Sequence, residues 1–362
     1  MDFEFSNAQE ELAKLVRTIA TDLATHDGRP GSGDVDRPLW AALARGDVLS
    51  AALPEAAGGS GLGLPEQCSV LVELGRAVAR VPYRETVAIA ASALAEHGTP
   101  EQVARWVEPA LRGDLVLTAA LTEPPGPPTR AEAEGDGYVL SGTKALVPSG
   151  LAAGMVLVPA VLPSGDGGLF AVEPADDGVS LERQTVVDGA DAGWLELRRV
   201  RVGPDRRVGS GPDVLPWVTR RATVALCAQQ LGVLEGALDL TAAYATTRTQ
   251  FGRPIGSFQA VSQRLADAYI DVRGARLTLW HAAWAVAAGE PPELQTQAVA
   301  TAKFWAAEAG HRTAHTCVHV HGGAGIDLDN GAHRYFTAAK RLEFELGGAT
   351  SQLRVLGAAL AR

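Results

Sequence analysis

Arg248-Thr249-Gln250-Phe251-Gly252-Arg253-Pro254-Ile255-Gly256-Ser257-Phe258-Gln259 holds a fixed cation, an aromatic ring, turn glycines and a carboxamide within one helix end and the start of the next. An arginine fork matches pyrophosphate oxygens in pairs, and charge-assisted bonds of this kind contribute roughly 1.5–3 kcal/mol. Phe251 offers a face to an adenine or ribose, and Gln259 can donate to a phosphate while accepting from a hydroxyl. These are the parts needed to grip a dinucleotide across a subunit boundary. The same residues also read as a helix C-terminus followed by a Gly-Arg-Pro-Ile-Gly loop, with Arg248 complementing the helix dipole.

Helical periodicity extends on both sides of this stretch. One pattern covers 216–248, roughly 45–50 Å if straight at 1.5 Å per residue. Further patterns cover 258–288, 292–321, 330–344 and 352–361. Four long helices in succession predict a bundle, and the leftover apolar faces of such bundles drive oligomerisation. Upstream, beyond a Gly209–Asp213 linker, the period changes. Short strand-like runs at 115–121, 138–140, 155–158, 169–172 and 194–197 alternate with Gly/Asp/Pro turns, at intervals that suit a small antiparallel barrel or sandwich. Before them, Ser6 followed by Glu10 and Glu11 and then Leu12, Leu15, Val16 and Ile19 reads as a capped amphipathic helix. More helical patterns lie at 39–49, 65–79, 84–96 and 101–111, interrupted by a glycine-rich loop at 54–63. The predicted fold is α+β: an N-terminal helical domain (1–112), a middle β domain (113–212) and a C-terminal helical bundle (213–362).

The chain has 362 residues, 46% apolar and 20% charged, which is a globular composition able to bury a core. A formal net charge of −10 argues against nucleic acid as the main partner. The three cysteines, Cys68, Cys227 and Cys317, are far apart without metal-type spacing, and read as buried thiols of a reducing cytosol. The polar, acidic N-terminus does not read as a signal peptide, and no apolar run approaches the ~20 residues of a membrane span. A cytoplasmic location is therefore expected. His311, His315, His319 and His321 share one helix, but no carboxylate or cysteine joins them at ligand spacing, so no metal site is expected. Trp217, Trp280, Trp284 and Trp305 read as bundle core or interface anchors.

Five pieces in order resemble the acyl-CoA dehydrogenase family over essentially the whole chain. Phe5-Ser6-Asn7-Ala8-Gln9-Glu10-Glu11-Leu12 is similar to its first helix. Pro54-Glu55 with Gly58-Gly59-Ser60-Gly61 is similar to its PE-x-x-GGSG loop, and Thr122-Glu123-Pro124 to its TEP strand end. Arg248 to Gly252 with Phe258-Gln259 is similar to its flavin-clamping segment, and His321-Gly322-Gly323-Ala324-Gly325 to its GG-x-G turn. The resemblance implies FAD bound between subunits, with Arg248, Phe251 and Gln259 gripping the pyrophosphate and adenosine of a neighbour's cofactor. Gly322, Gly323 and Gly325 would admit close backbone approach to the adenosine half, and Thr122 would belong to the flavin side. The implied reaction is α,β-dehydrogenation of an acyl-CoA thioester, in which a glutamate removes the α-proton and the β-hydrogen leaves as hydride.

That glutamate is not where the family carries it. The last loop reads Glu343-Phe344-Glu345-Leu346-Gly347-Gly348-Ala349-Thr350-Ser351-Gln352-Leu353, and backward and forward alignment put Gly348 or Leu346 at the base position. The alternative position early in the bundle reads Thr219-Arg220-Arg221-Ala222-Thr223. The flavin-facing strand, a Trp-x-Thr pattern in the family, is Leu146-Val147-Pro148-Ser149-Gly150, and Pro125-Gly126-Pro127-Pro128 replaces a serine-bearing stretch. The expected protein is therefore an FAD-dependent subunit that supplies the clamp while a paralogous partner, in a hetero-oligomer acting on acyl-CoA, supplies the base. Two alternatives remain: a self-sufficient homo-oligomer using Glu345, and a non-enzymatic binding or scaffold protein of the same fold.

Overall fold

The structure is a computed structural model, and it describes residues 5–23 and 35–361. The opening helix α1 (Asn7–Asp22) starts where expected. Ser6 accepts from the Gln9 amide while Gln9 returns a bond to the Ser6 N–H, a reciprocal cap that satisfies two otherwise unpaired donors. Next come α2 (Arg37–Arg45), the single turn α3 (Val48–Ala51) and α4 (Leu64–Arg76). The segments expected as plain helices at 84–96 and 101–111 are partly wider-wound. A π-helix at Arg84–Ala91 runs into α5 (Ser92–His97), and α6 (Pro100–Gln102) runs through a π-turn at Val103–Val107 into α7 (Glu108–Leu111).

Seven strands follow: β1 (Leu117–Ala119), β2 (Arg130–Glu134), β3 (Gly137–Pro148), β4 (Met155–Val161), β5 (Gly167–Val172), β6 (Val179–Arg183) and β7 (Ala192–Val202). They form one sheet in the order β1-β4-β2-β3-β7-β6, with β5 pairing on β4. Its ladders are mainly antiparallel, but β1 runs parallel to β4. Alternating side chains from the ladders, among them Leu140, Val147, Val156, Val158, Phe170, Leu195 and Val200, make its core. The helical remainder comprises α8 (Val214–Thr247), the hairpin β8 (Thr249–Gln250) and β9 (Arg253–Pro254), α9 (Gln259–Ala287), α10 (Pro292–His321), α11 (Gly331–Phe344) and α12 (Ala349–Leu360).

The chain divides into two compact units. One combines α1, α4 and everything from Thr223 onward; the other takes residues 35–63 together with Arg80–Ala222. In the helical unit α4 crosses α8 at van der Waals contact of the two backbones. A Cβ on Gly232 would lie 1.9 Å from the Val72 carbonyl oxygen, and one on Gly75 would lie 2.2 Å from that of Gln229. Beside this crossing lies an ion network. Glu73 takes a two-pronged bond from Arg17 (2.7 and 2.8 Å), and buried Glu235 is held by both Arg76 and Arg276. These bonds tie α1, α4, α8 and α9 together. Deeper, Lys303 is wholly buried and donates to the Leu342 and Glu343 carbonyls at 2.8 and 3.1 Å, which caps the end of α11.

Among the described residues no helix is long and apolar enough to cross a membrane. Cys68, Cys227 and Cys317 are buried.

Candidate functional site

The end of α8 is shaped by its hairpin. Thr249 pairs with Pro254 and Gln250 with Arg253, which leaves Phe251-Gly252 as a two-residue loop with φ of 51° and 78°. Two successive positive φ values are the twist that a tight antiparallel hairpin needs, and they favour Asn-Gly. A phenylalanine there is strained by roughly 1–2 kcal/mol. Among the described residues nothing compensates, because Phe251 is 93% exposed and its ring meets Phe258 alone, edge-on at 6.2 Å. Arg253 lies over the other aromatic, 4.1 Å from the Phe258 centroid. Arg248 and Gln259 are exposed, and among the described residues neither side chain has an ion pair or hydrogen bond. The hairpin is nevertheless firmly seated, since the Ile255 N–H donates to the Arg248 carbonyl at 2.8 Å. An unpaired fork, an unpaired carboxamide and a bare ring thus project from one fixed support.

The glycine turn follows the end of α10. Gly322 has φ 61° and ψ −136°, a conformation closed to side-chain-bearing residues, and a Cβ on Gly323 would meet nothing within 4 Å. Gly325 differs, because its Cβ would come within 2.9 Å of the Val318 carbonyl oxygen, so it serves the turn itself. Buried His321 donates Nδ1–H to the Cys317 carbonyl at 2.8 Å and stacks on Tyr244 at 4.3 Å. Tyr244 lies one helical turn before Arg248, so the hairpin and the glycine turn flank one stacked pair. No local pattern signals this Tyr244–His321 contact, which depends on two distant helix ends meeting.

Thr122 belongs to the other unit, where its carbonyl accepts the Ala145 N–H at 2.9 Å. Beside it, Glu123 accepts from buried Lys144 at 2.5 Å and from the Thr129 N–H at 2.9 Å. Burial pulls the Lys144 ammonium below the usual lysine range against the pull of Glu123. Burial opposes the Glu123 charge, yet Lys144 and Thr129 outweigh it and hold the carboxyl low. The polar groups at the end of β3 are consumed internally. The Pro148 carbonyl accepts from Thr118 Oγ1 at 2.6 Å, the Ser149 N–H goes to the Asp191 carbonyl at 2.9 Å, and the Leu146 N–H goes to Gln184 at 2.6 Å. Pro148 has no N–H to offer.

Neither expected base position carries an acid. Glu345 is bound by Arg341 at 2.9 Å one helical turn back, and Gln352 donates to the Leu346 carbonyl at 3.1 Å, closing the loop on itself. Arg221 donates to Ser92 Oγ at 3.2 Å, packed over Trp217. Of the four helix histidines, His311 faces Glu343 and Lys340. Burial and its basic neighbours His311 and Lys340 keep the His315 pKa low. Among the described residues no three His, Cys, Asp or Glu side chains are placed to hold a metal.

A helical unit presenting an arginine–phenylalanine hairpin beside a glycine turn, together with a mainly antiparallel β sheet, defines a flavin-dependent dehydrogenase architecture. Family models agree: "Acyl-CoA dehydrogenase, N-terminal domain" matches residues 6–114 and "Acyl-CoA dehydrogenase, C-terminal domain" matches 209–361. The chain belongs to the acyl-CoA dehydrogenase family, whose members are FAD-dependent oxidoreductases, and its cofactor is FAD. It is 49% identical to acyl-CoA dehydrogenase FadE27 of Mycobacterium tuberculosis, over 100% of this chain and 99% of that protein. A chain of the ChsE4–ChsE5 complex from Mycobacterium tuberculosis superposes with a TM-score of 0.96 at 49% identity, covering 100% of this chain and 99% of that one. A chain of the Tcur3481–Tcur3483 steroid ACAD gives 0.91 at 43% identity, covering 98% and 97%.

Proposed function

We propose that this chain is one subunit of a two-chain acyl-CoA dehydrogenase, and that it grips FAD held mainly by a paralogous subunit. Arg248 would pair with the pyrophosphate, Phe251 would lie on the adenosine, and Gln259 would bond a phosphate or hydroxyl. Gly322 and Gly323 would let backbone approach the adenosine half, with Gly325 keeping the turn. The observation that carries this reading is the strained, fully bare Phe251 beside an unpaired Arg248 and Gln259. Such groups are built to be completed by a ligand from outside the chain.

The adenosine and pyrophosphate half of FAD fits these residues, because the donors are free and the glycine backbone is open. The flavin-ring half fits poorly. The polar groups of β3 around Pro148 are already bonded, and the Thr122 carbonyl is taken by Ala145. When bound, FAD supplies the hydride acceptor for the substrate β-hydrogen. The α-proton needs a carboxylate in a dry site, and this chain has none at either candidate base position, in the last loop or early in α8; the partner would provide it. Glu345, already paired with Arg341, does not fill that role. Similarity to chains of a ChsE4–ChsE5 complex and of a Tcur3481–Tcur3483 steroid ACAD supports a two-chain assembly and a bulky, steroid-like acyl group. The family-model bounds also favour a working division near residues 112 and 212.

The visible spectrum of the purified chain, alone and co-expressed with an adjacent paralogue, tests this function. Colourless protein that gains flavin and turnover with its partner is the expected result. Full flavin and activity in the isolated chain would overturn it.

A further inference from the structure

A pocket of about 410 Å³ opens in the β-containing unit, between β3, the turn joining β4 to β5, and the segment after β7. Tyr138, Leu162, Pro163, Asp166, Arg207 and Pro212 face it. Its size is at the lower end of small-molecule sites, about 300–1,000 Å³. Arg207 is its distinctive member. Adjacent Arg206 is tied to Glu173 and Asp176, whereas Arg207 has no ion pair among the described residues. Its Nη1 donates to the Tyr138 hydroxyl at 2.9 Å, and its Nε is buried without a partner. A buried guanidinium N–H left unpaired is rare, because the lost hydration is not replaced.

Nε is out of a ligand's reach, so the guanidinium meets the pocket through its Nη groups, whose N–H can donate to a carboxylate oxygen beside the Tyr138 hydroxyl. Tyr138, having accepted a bond from Arg207, keeps its own proton to donate. The Tyr138 ring, Leu162, Pro163 and Pro212 make an apolar wall, with Ser164 and Asp166 on the polar side. Asp166, held by Ser164 Oγ at 2.8 Å, lies in the same lining, so a dianion would meet more repulsion there than a monoanion seated on Arg207. We propose that this pocket binds a small organic carboxylate with an apolar body, its head on Arg207 and Tyr138. The proposal is independent of the flavin reading, which uses other residues.

Hexanoate and, separately, inorganic phosphate are titrated by calorimetry into the full-length chain in whatever assembly it purifies. Hexanoate is expected to bind saturably, one per chain. Arg207→Met should weaken binding at least tenfold, and Tyr138→Phe several-fold. Arg207→Lys, which keeps the charge without the guanidinium N–H groups, should fall between wild type and Arg207→Met, and it serves with Tyr138→Phe if the methionine variant misfolds. No saturable hexanoate binding, unchanged affinity in the Arg207 and Tyr138 variants, or phosphate binding as tightly as hexanoate would each overturn the proposal.

Discussion

Replacing Phe251 by Asn should move stability and cofactor affinity in opposite directions. In the chain, Phe251 occupies a left-handed conformation at φ 51° and is 93% exposed. Asn-Gly is the pair best suited to such a loop, so Phe251→Asn removes roughly 1 kcal/mol of backbone strain and forfeits almost no burial. The hairpin, and with it the chain, should be unchanged or more stable by up to about 1 kcal/mol. The cofactor would lose the ring. Stacking of a base on an aromatic contributes about 1–3 kcal/mol, so FAD should bind roughly 5- to 150-fold more weakly. Urea unfolding of the isolated chain gives the first quantity, and FAD titration of the flavin-stripped assembly gives the second. A variant destabilised by more than about 1 kcal/mol would show that the ring is structural. Affinity within twofold of wild type would show that the ring does not touch the cofactor.

Three further outcomes follow from the helical unit. Glu235→Gln leaves Arg76 and Arg276 facing each other without their shared carboxylate, and should cost about 3 kcal/mol in urea unfolding, somewhat less if water screens the half-exposed guanidiniums. Gly232→Ala drives a methyl onto the Val72 carbonyl, so the α4–α8 crossing must open; loss of soluble, cooperatively unfolding protein is expected, and a variant within 1 kcal/mol of wild type would refute the close crossing. Burial pushes the Cys227 thiol up to about 12, only partly offset by Lys303, so it should resist alkylation at pH 8 until the chain unfolds. Because the folded chain holds this proton more tightly than the unfolded one, its contribution is intact below about pH 9 and falls as pH rises towards 12, which urea midpoints across that range would register.

The long helices were readable because each carries sustained periodicity with clear ends; Ser6 capping α1 and the 292–321 pattern needed no tertiary help. Strand β2 was not readable. Arg-Ala-Glu-Ala-Glu has helix-forming composition, and only its five-residue ladder with β3 makes it a strand. The parallel β1–β4 pairing was equally hidden, since alternation fixes which face is buried but not the direction of the neighbour. The π-turns at 84–91 and 103–107 follow from packing that no local propensity encodes. At the Arg248–Gln259 segment, residue types suggested the proposed clamp, while the strain at Phe251 and the unbonded Arg248 and Gln259 side chains are visible only in three dimensions. Arg207 looks like any surface cation in the sequence, and its unpaired Nε appears only with the fold.

Flavin content of the two-chain assembly carrying Arg248→Gln in this chain alone tests the central claim most directly. The claim that this subunit holds a cofactor seated mainly in its partner predicts an intact assembly that loses most of its FAD, with affinity at least tenfold weaker. Full flavin occupancy and unchanged affinity in that assembly would contradict it.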